Sequence, residues 1–194
     1  MRCFGDDDPL MAEYHDTEWG VELHGEAALL ERIALEGFQS GLSWQTVLRK
    51  RPAFREVFFD FDPAKVAAMT SDDVERLLSD KRIIRNRAKI EATINNAGAV
   101  KQLHQDGKTL DEVIWAYAPA ARVEPLPSMA EMPAASPESV AMAKALKKLG
   151  FKFFGPTTAY AMMQAIGMVN DHVAGCLVWE SPTDIPDFSA TDKR

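Results

Sequence analysis

The chain has 194 residues, 46% of them hydrophobic and 26% charged, with a formal net charge of −7. This composition suits one globular domain, or two small lobes sharing a core, and argues against a protein that coats nucleic acid indiscriminately. No apolar run approaches the ~20 residues of a membrane span and no charged leader precedes an apolar segment, so neither membrane insertion nor export is expected.

The first residues are rich in turn formers and lead into a short helical piece near residues 10–15. Residues 26–37 read as the first long helix, with Leu30, Ile33, Ala34 and Gly37 at the i, i+3, i+4, i+7 spacing of one buried face. Gly41 and Ser43 supply a turn and an N-cap for a second helix over 44–54. Asp62-Pro63 opens a third, and Ser71-Asp72-Asp73 reads as a cap for 74–78, with Glu75 available to complete it. After a break at 79–82, a helix is expected over 86–104 and another over 110–117. Residues 118–136 contain four of the eleven prolines and read as a surface connection. A helix over 137–149 ends in lysines that suit its dipole, Gly150 breaks it, and a last long helix is expected over 157–175. Residues 180–194 show no periodicity and read as a loose tail. No alternating strand pattern and no repeat occurs, so the fold class is all-α.

Four stretches carry candidate chemistry. Glu36 falls at the edge of an apolar helix face and Trp44 follows just past the turn. A carboxylate beside an aromatic plane can grip a flat cationic ring, although a rim glutamate and a core tryptophan give the same pattern. Cys3, His15, His172 and Cys176 form a Cys2His2 set, with His172 and Cys176 on one face of the expected last helix. A zinc there would tie the two ends of the chain together. Incidental thiols and a satisfied histidine are the alternative, and a structural disulfide is not expected without export. Residues 77–89, LLSDKRIIRNRAK, read as two helices joined by a short link and followed by Arg85, Arg87 and Lys89. That is the pattern of a helix-hairpin-helix, which offers backbone N–H groups and cations to phosphate; a solvated basic face looks the same. In residues 150–158, GFKFFGPTT, the phenylalanines suit packing and Lys152 stays available.

Taken together, YHDTEWGV, LEGFQSGLSWQTVLRKR, FDPAKVAAM, IIRNRAKIEATINNA, ALKKLGFKFFGPTT and MVNDHV followed by Cys176 resemble the bacterial 3-methyladenine DNA glycosylase I family over residues 3–176, in collinear order. The resemblance implies the helical fold of the helix-hairpin-helix glycosylase superfamily, with the termini joined at one structural zinc on Cys3, His15, His172 and Cys176. It implies a single domain over residues 1–180 with a tail at 181–194. It implies excision of 3-methyladenine from alkylated double-stranded DNA without lyase activity, by a cytoplasmic monomer. Its base-pocket residues match Tyr14, Glu36 and Trp44, and its hairpin matches the stretch from Ile83 to Lys89. Three departures stand out. Where the family carries a tryptophan two residues after the first cysteine, this chain has Phe4-Gly5, which makes Phe4 the candidate pocket wall. Lys81-Arg82 occupy the place of the hairpin's small residue. The run Asp6-Asp7-Asp8 is expected to face away from DNA. A non-catalytic, zinc-stapled DNA-binding module is the alternative from a different class.

Overall fold

In the computed structural model, residues 1–179 are described, and the tail expected over 181–194 lies outside them. Nine α-helices are present among the described residues: α1 Pro9–Thr17, α2 Glu26–Gln39, α3 Trp44–Val57, α4 Pro63–Ala67, α5 Ser71–Ser79, α6 Arg87–Gln105, α7 Leu110–Trp115, α8 Pro137–Lys148 and α9 Pro156–Ala165. Extended pairing is confined, among those residues, to one isolated bridge between Leu126 and Val173. The fold is therefore all-α, as its periodicity indicates.

Helix α2 is the centre of the molecule. It packs against α3, α6, α7 and α9, and its residues from Leu29 to Phe38 are buried. Around it Phe38, Phe54, Phe58 and Phe61 stack in the largest core cluster, each burial of such a ring being worth about 2–3 kcal/mol. A second, smaller cluster holds Tyr14, Trp19, Leu48 and Ala165, and Trp44 packs against both.

Local signals place most of the ends. Ser43 caps α3 by accepting from the Thr46 amide, as expected. Asp62 caps α4 with Pro63 in its first turn. The cap of α5 is Thr70 rather than the following serine, and Asp73, not Glu75, closes the capping box. The last helix is much shorter than its apolar pattern suggests, ending at Ala165. Gly167 (φ +72°) turns the chain away there, and a Cβ on it would lie 2.6 Å from the backbone of Val21 and Glu22. Only glycine fits so close an approach. His172 and Cys176 consequently sit in irregular backbone, and their spacing comes from a turn in which the Cys176 amide donates to the Val173 carbonyl at 3.0 Å. The connection over 118–136 is pinned rather than free, because Leu126 is buried and its carbonyl accepts from the Ala174 amide at 2.8 Å.

Candidate metal centre and base site

The two ends of the chain meet at the first site. Cys3 lies just before α1, His15 on its buried face, and His172 and Cys176 in the segment after α9. Their ligand atoms all lie within 4.8 Å of one another. Cys3 Sγ is 3.5 Å from His172 Nδ1, and Cys176 Sγ is 3.4 Å from both His172 Nδ1 and His15 Nε2. Bonds of ~2.3 Å to sulfur and ~2.0–2.1 Å to nitrogen at tetrahedral angles put neighbouring S and N ligands about 3.5 Å apart, which these three S–N distances match, so the cluster could hold a metal ion. The outer atoms fit as well. His15 Nδ1 is 2.8 Å from Asp16 Oδ1, and His172 Nε2 is 3.2 Å from the Trp19 carbonyl; these carbonyl and carboxylate partners fix ring orientation and tautomer. His15 Nε2 faces the sulfurs, 3.1 Å from the Cys3 amide, and the Val173 amide donates to Cys3 Sγ at 3.3 Å. Burial, then the nearby His15, pulls the His172 imidazole down to about 4, which keeps it neutral as a ligand must be. Burial pushes the Cys3 thiol up to about 11, so two thiolates here need a cation to hold them.

The second site lies next to it, where α1, α2 and α3 meet. Glu36 is 6% exposed, deeper than the helix edge its sequence position implies. Its carboxyl has no hydrogen bond among the described residues, and burial pushes it up to about 7, opposed by the positive charge of Arg32. The rings of Tyr14 and Trp44 are 5.3 Å apart at 44°. The indole Nε1 of Trp44 is buried without an acceptor. A buried carboxyl compensated only by the Arg32 charge and a buried N–H without an acceptor both cost stability. They are the groups a planar ring with its own donors and acceptors would satisfy. Tyr14 is 3% exposed, while Trp44 is only partly buried.

Phe4 stands between the two sites. Its ring is 6.3 Å from that of Tyr14 and packs edge-on to His15 and Trp19 at 4.9 and 5.1 Å. Gly5 (φ +91°) could carry no side chain, since a Cβ there would meet Met11 and Ala12 backbone at 2.8–2.9 Å. The aromatic residue of this corner is accordingly residue 4. Asp8, from the acidic run, caps α1 and pairs with Arg49 at 2.6 Å.

The expected DNA-contacting residues divide. Arg85 and Lys152 are exposed and carry no ion pair among the described residues. Arg87 is exposed but donates to Glu75 at 2.7 Å. Ile83 is 2% exposed and anchors the α5–α6 link in the core; within that link the Arg82 and Ile83 amides already donate to Asp80. Lys89 departs from the expectation of a free cation. It is 8% exposed, and its ammonium donates to the carbonyls of Phe38 and Ser40 at 2.9 and 2.7 Å. It closes the C-terminal end of α2, where a cation suits both the orphan carbonyls and the dipole. Sequence reasoning missed that role, and it also missed Arg32, whose only signal is a charged residue one turn before Glu36 on an apolar helix.

The family model described as methyladenine glycosylase matches residues 4–179. The DNA-3-methyladenine glycosylase 1 of Escherichia coli (strain K12) is 50% identical over 170 residues, covering 87% of this chain and 91% of that protein. A crystal structure of a 3-methyladenine DNA glycosylase I superposes with a TM-score of 0.89 at 46% identity, covering 93% of this chain and 100% of that one. A structure describing 3-methyladenine recognition by the enzyme of Staphylococcus aureus superposes with a TM-score of 0.84 at 33% identity, covering 94% and 95%.

Proposed function

From the premise that this chain belongs to the methyladenine glycosylase family, we propose that it excises 3-methyladenine from alkylated double-stranded DNA, as a cytoplasmic monomer built on one structural zinc. The observation that carries the reading is the buried Glu36 carboxyl, which makes no hydrogen bond among the described residues and lies one helical turn from the Arg32 that packs on the rings of Tyr14 and Trp44.

A purine methylated at N3 is already cationic, so its glycosidic bond is weak. The bond between base and sugar breaks with its electron pair staying on the base, which leaves neutral; water adds to the sugar carbon and gives up a proton. The enzyme's task is to extrude the nucleotide, at a cost of a few kcal/mol, and to hold it. Tyr14, Trp44 and Phe4 offer stacking surface, which favours a cation. Glu36 accepts from the exocyclic amine and pairs with the ring's charge, while the Trp44 N–H meets a ring acceptor. Neutral adenine lacks the charge, and that difference discriminates. The zinc, when bound to Cys3, His15, His172 and Cys176, supplies a structural cross-link. It holds the segment bearing Tyr14 and Phe4 in place and has no part in the bond cleavage.

The α5–α6 link serves as the helix-hairpin-helix, offering the Ile84 and Arg85 amides to a phosphate, with Arg85 and Lys152 adding charge. Arg85→Ala and Lys152→Ala together should weaken DNA binding and reduce the salt slope by about 2, since each phosphate contact contributes about 0.9. An unchanged slope in a fluorescence titration places the DNA elsewhere. Lys89→Met should leave that slope alone, its loss appearing as a lower melting temperature.

Titration with free 3-methyladenine tests the base site itself. Binding that quenches tryptophan fluorescence is expected. A zinc-stapled DNA-binding module without a base pocket gives none, and that outcome would overturn the reading.

A further inference from the structure

The buried charge nearest the base site is only loosely compensated by the fold. Arg32 lies on α2 one turn before Glu36, is 5% exposed, and has one hydrogen bond, from a guanidinium N–H to the Tyr14 hydroxyl oxygen at 3.2 Å. Its ion-pair partner Glu18 is 3.7 Å away, beyond hydrogen-bonding distance, and is held more tightly by both terminal guanidinium nitrogens of Arg51. The Arg32 guanidinium also sits 5.6 Å from the Tyr14 ring centroid and 5.6 Å from that of Trp44. A guanidinium has five donors, and burying it on so little costs stability that an apolar side chain of the same length would not.

We propose that Arg32 is a positioning residue of the base site, fixing the Tyr14 phenol so that its own O–H is free to donate to the bound base and setting a permanent positive charge beside Glu36. The proposal rests on the base-excision reading above. Because Arg32 donates to the hydroxyl oxygen, the phenol's own O–H is left to donate to a ligand. The same contact, with the cation–π interactions to both rings, holds the two aromatic planes at their observed angle before a base arrives.

The charge has a second effect. The charged and titratable groups gathered about the Tyr14 phenol are Glu36 and Arg32 from α2, Glu18 just past the end of α1 and Arg51 from α3. Of these, Arg32 is the one that acts appreciably on the Glu36 carboxyl, favouring its ionised form against burial. An ionised Glu36 is the form that attracts a cationic base. Arg32 thus keeps the site competent at neutral pH, at the expense of a like charge near the substrate. That like charge bears on the cationic ground state and eases as the base leaves neutral, which is differential binding in favour of the transition state.

The test is the pH profile of kcat/KM for release of 3-methyladenine from methylated DNA, measured on the parent, Arg32→Met and Arg32→Lys. Losing the charge raises the pH at which Glu36 ionises, so the acid limb of Arg32→Met moves to higher pH. A shift of one unit makes it about fivefold slower at pH 7, and most of the loss returns by pH 9. Arg32→Lys keeps the charge and restores the profile, with a raised KM because the phenol is less well held. Superimposable profiles for all three proteins overturn the proposal. So does a loss in Arg32→Met that is equal at every pH, parallels its melting temperature and is not rescued by lysine. A parent protein that releases no base fails the broader reading instead, and free-base binding by the variants then reads Arg32 separately: an Arg32→Met site that binds the base as tightly as the parent's across the same pH range also overturns the proposal.

Discussion

Glu36→Gln is expected to bind 3-methyladenine about tenfold to a hundredfold more weakly while melting at a higher temperature than the parent. A hydrogen bond involving a charged group is worth roughly 1.5–3 kcal/mol, and glutamine keeps the volume and one acceptor but not the charge. The stability effect has the opposite sign. Glu36 is raised in the folded state from its ordinary 4.5 to about 7. An acid raised in this way costs nothing below pH 4.5, where it is protonated whether folded or not. Its cost grows as pH rises from 4.5 to 7 and is constant above that, on the order of 3 kcal/mol. Glutamine never incurs it. At pH 8 the variant should therefore melt several degrees higher, and the gap should shrink on acidification and close near pH 4. A variant that binds the base as well as the parent makes Glu36 a rim residue. One that melts lower makes it a structural one.

Removing the metal is expected to produce the largest loss of stability. Metal-replete protein should contain about one zinc per chain, and chelation or Cys176→Ser should lower the melting temperature by about 10–20 °C. The reasoning is a chain-entropy one. Cys3 and His172 are separated by 169 positions, and a tie of that span restricts the unfolded chain by about 5 kcal/mol. Because Tyr14 precedes a ligand directly and Phe4 follows one, base binding should weaken as well, though less than stability. Elemental analysis of metal-replete protein that finds no zinc removes this part of the account.

What the sequence made legible follows from the range of the forces involved. Helices whose ends are set by neighbours in the chain came out within a turn: Ser43 and Asp62 accept from amides two or three residues away, and Pro63 sits in the first turn of its helix. The end of α9 did not, because Ala, Met and Val continue an apolar pattern past Ala165 while Gly167 is fixed by the approach of residues 21–22 from far up the chain. The metal cluster was legible as residue types even though its geometry was wrong. A turn at 173–176, not a helix, brings His172 and Cys176 together.

Lys89 shows the limit in the other direction. Its basic neighbours made it look like a phosphate contact, whereas its bonds to Phe38 and Ser40 span 51 and 49 positions and no local pattern encodes them. Arg32 is a similar case. A charge within an apolar face reads as a rim residue until Tyr14 and Trp44 are seen to close over it. Gly5 was legible as a departure but not as a cause, since only the packing against α1 shows that a side chain there has no room.

The most direct measurement of the central claim is chromatographic detection of free bases after the zinc-loaded protein is incubated with duplex DNA methylated by dimethyl sulfate. The account predicts release of 3-methyladenine well above the spontaneous rate, with strands that stay intact until the abasic sites are opened by alkali. Release no faster than in buffer, from a protein that still binds the duplex with its normal salt dependence, would contradict it.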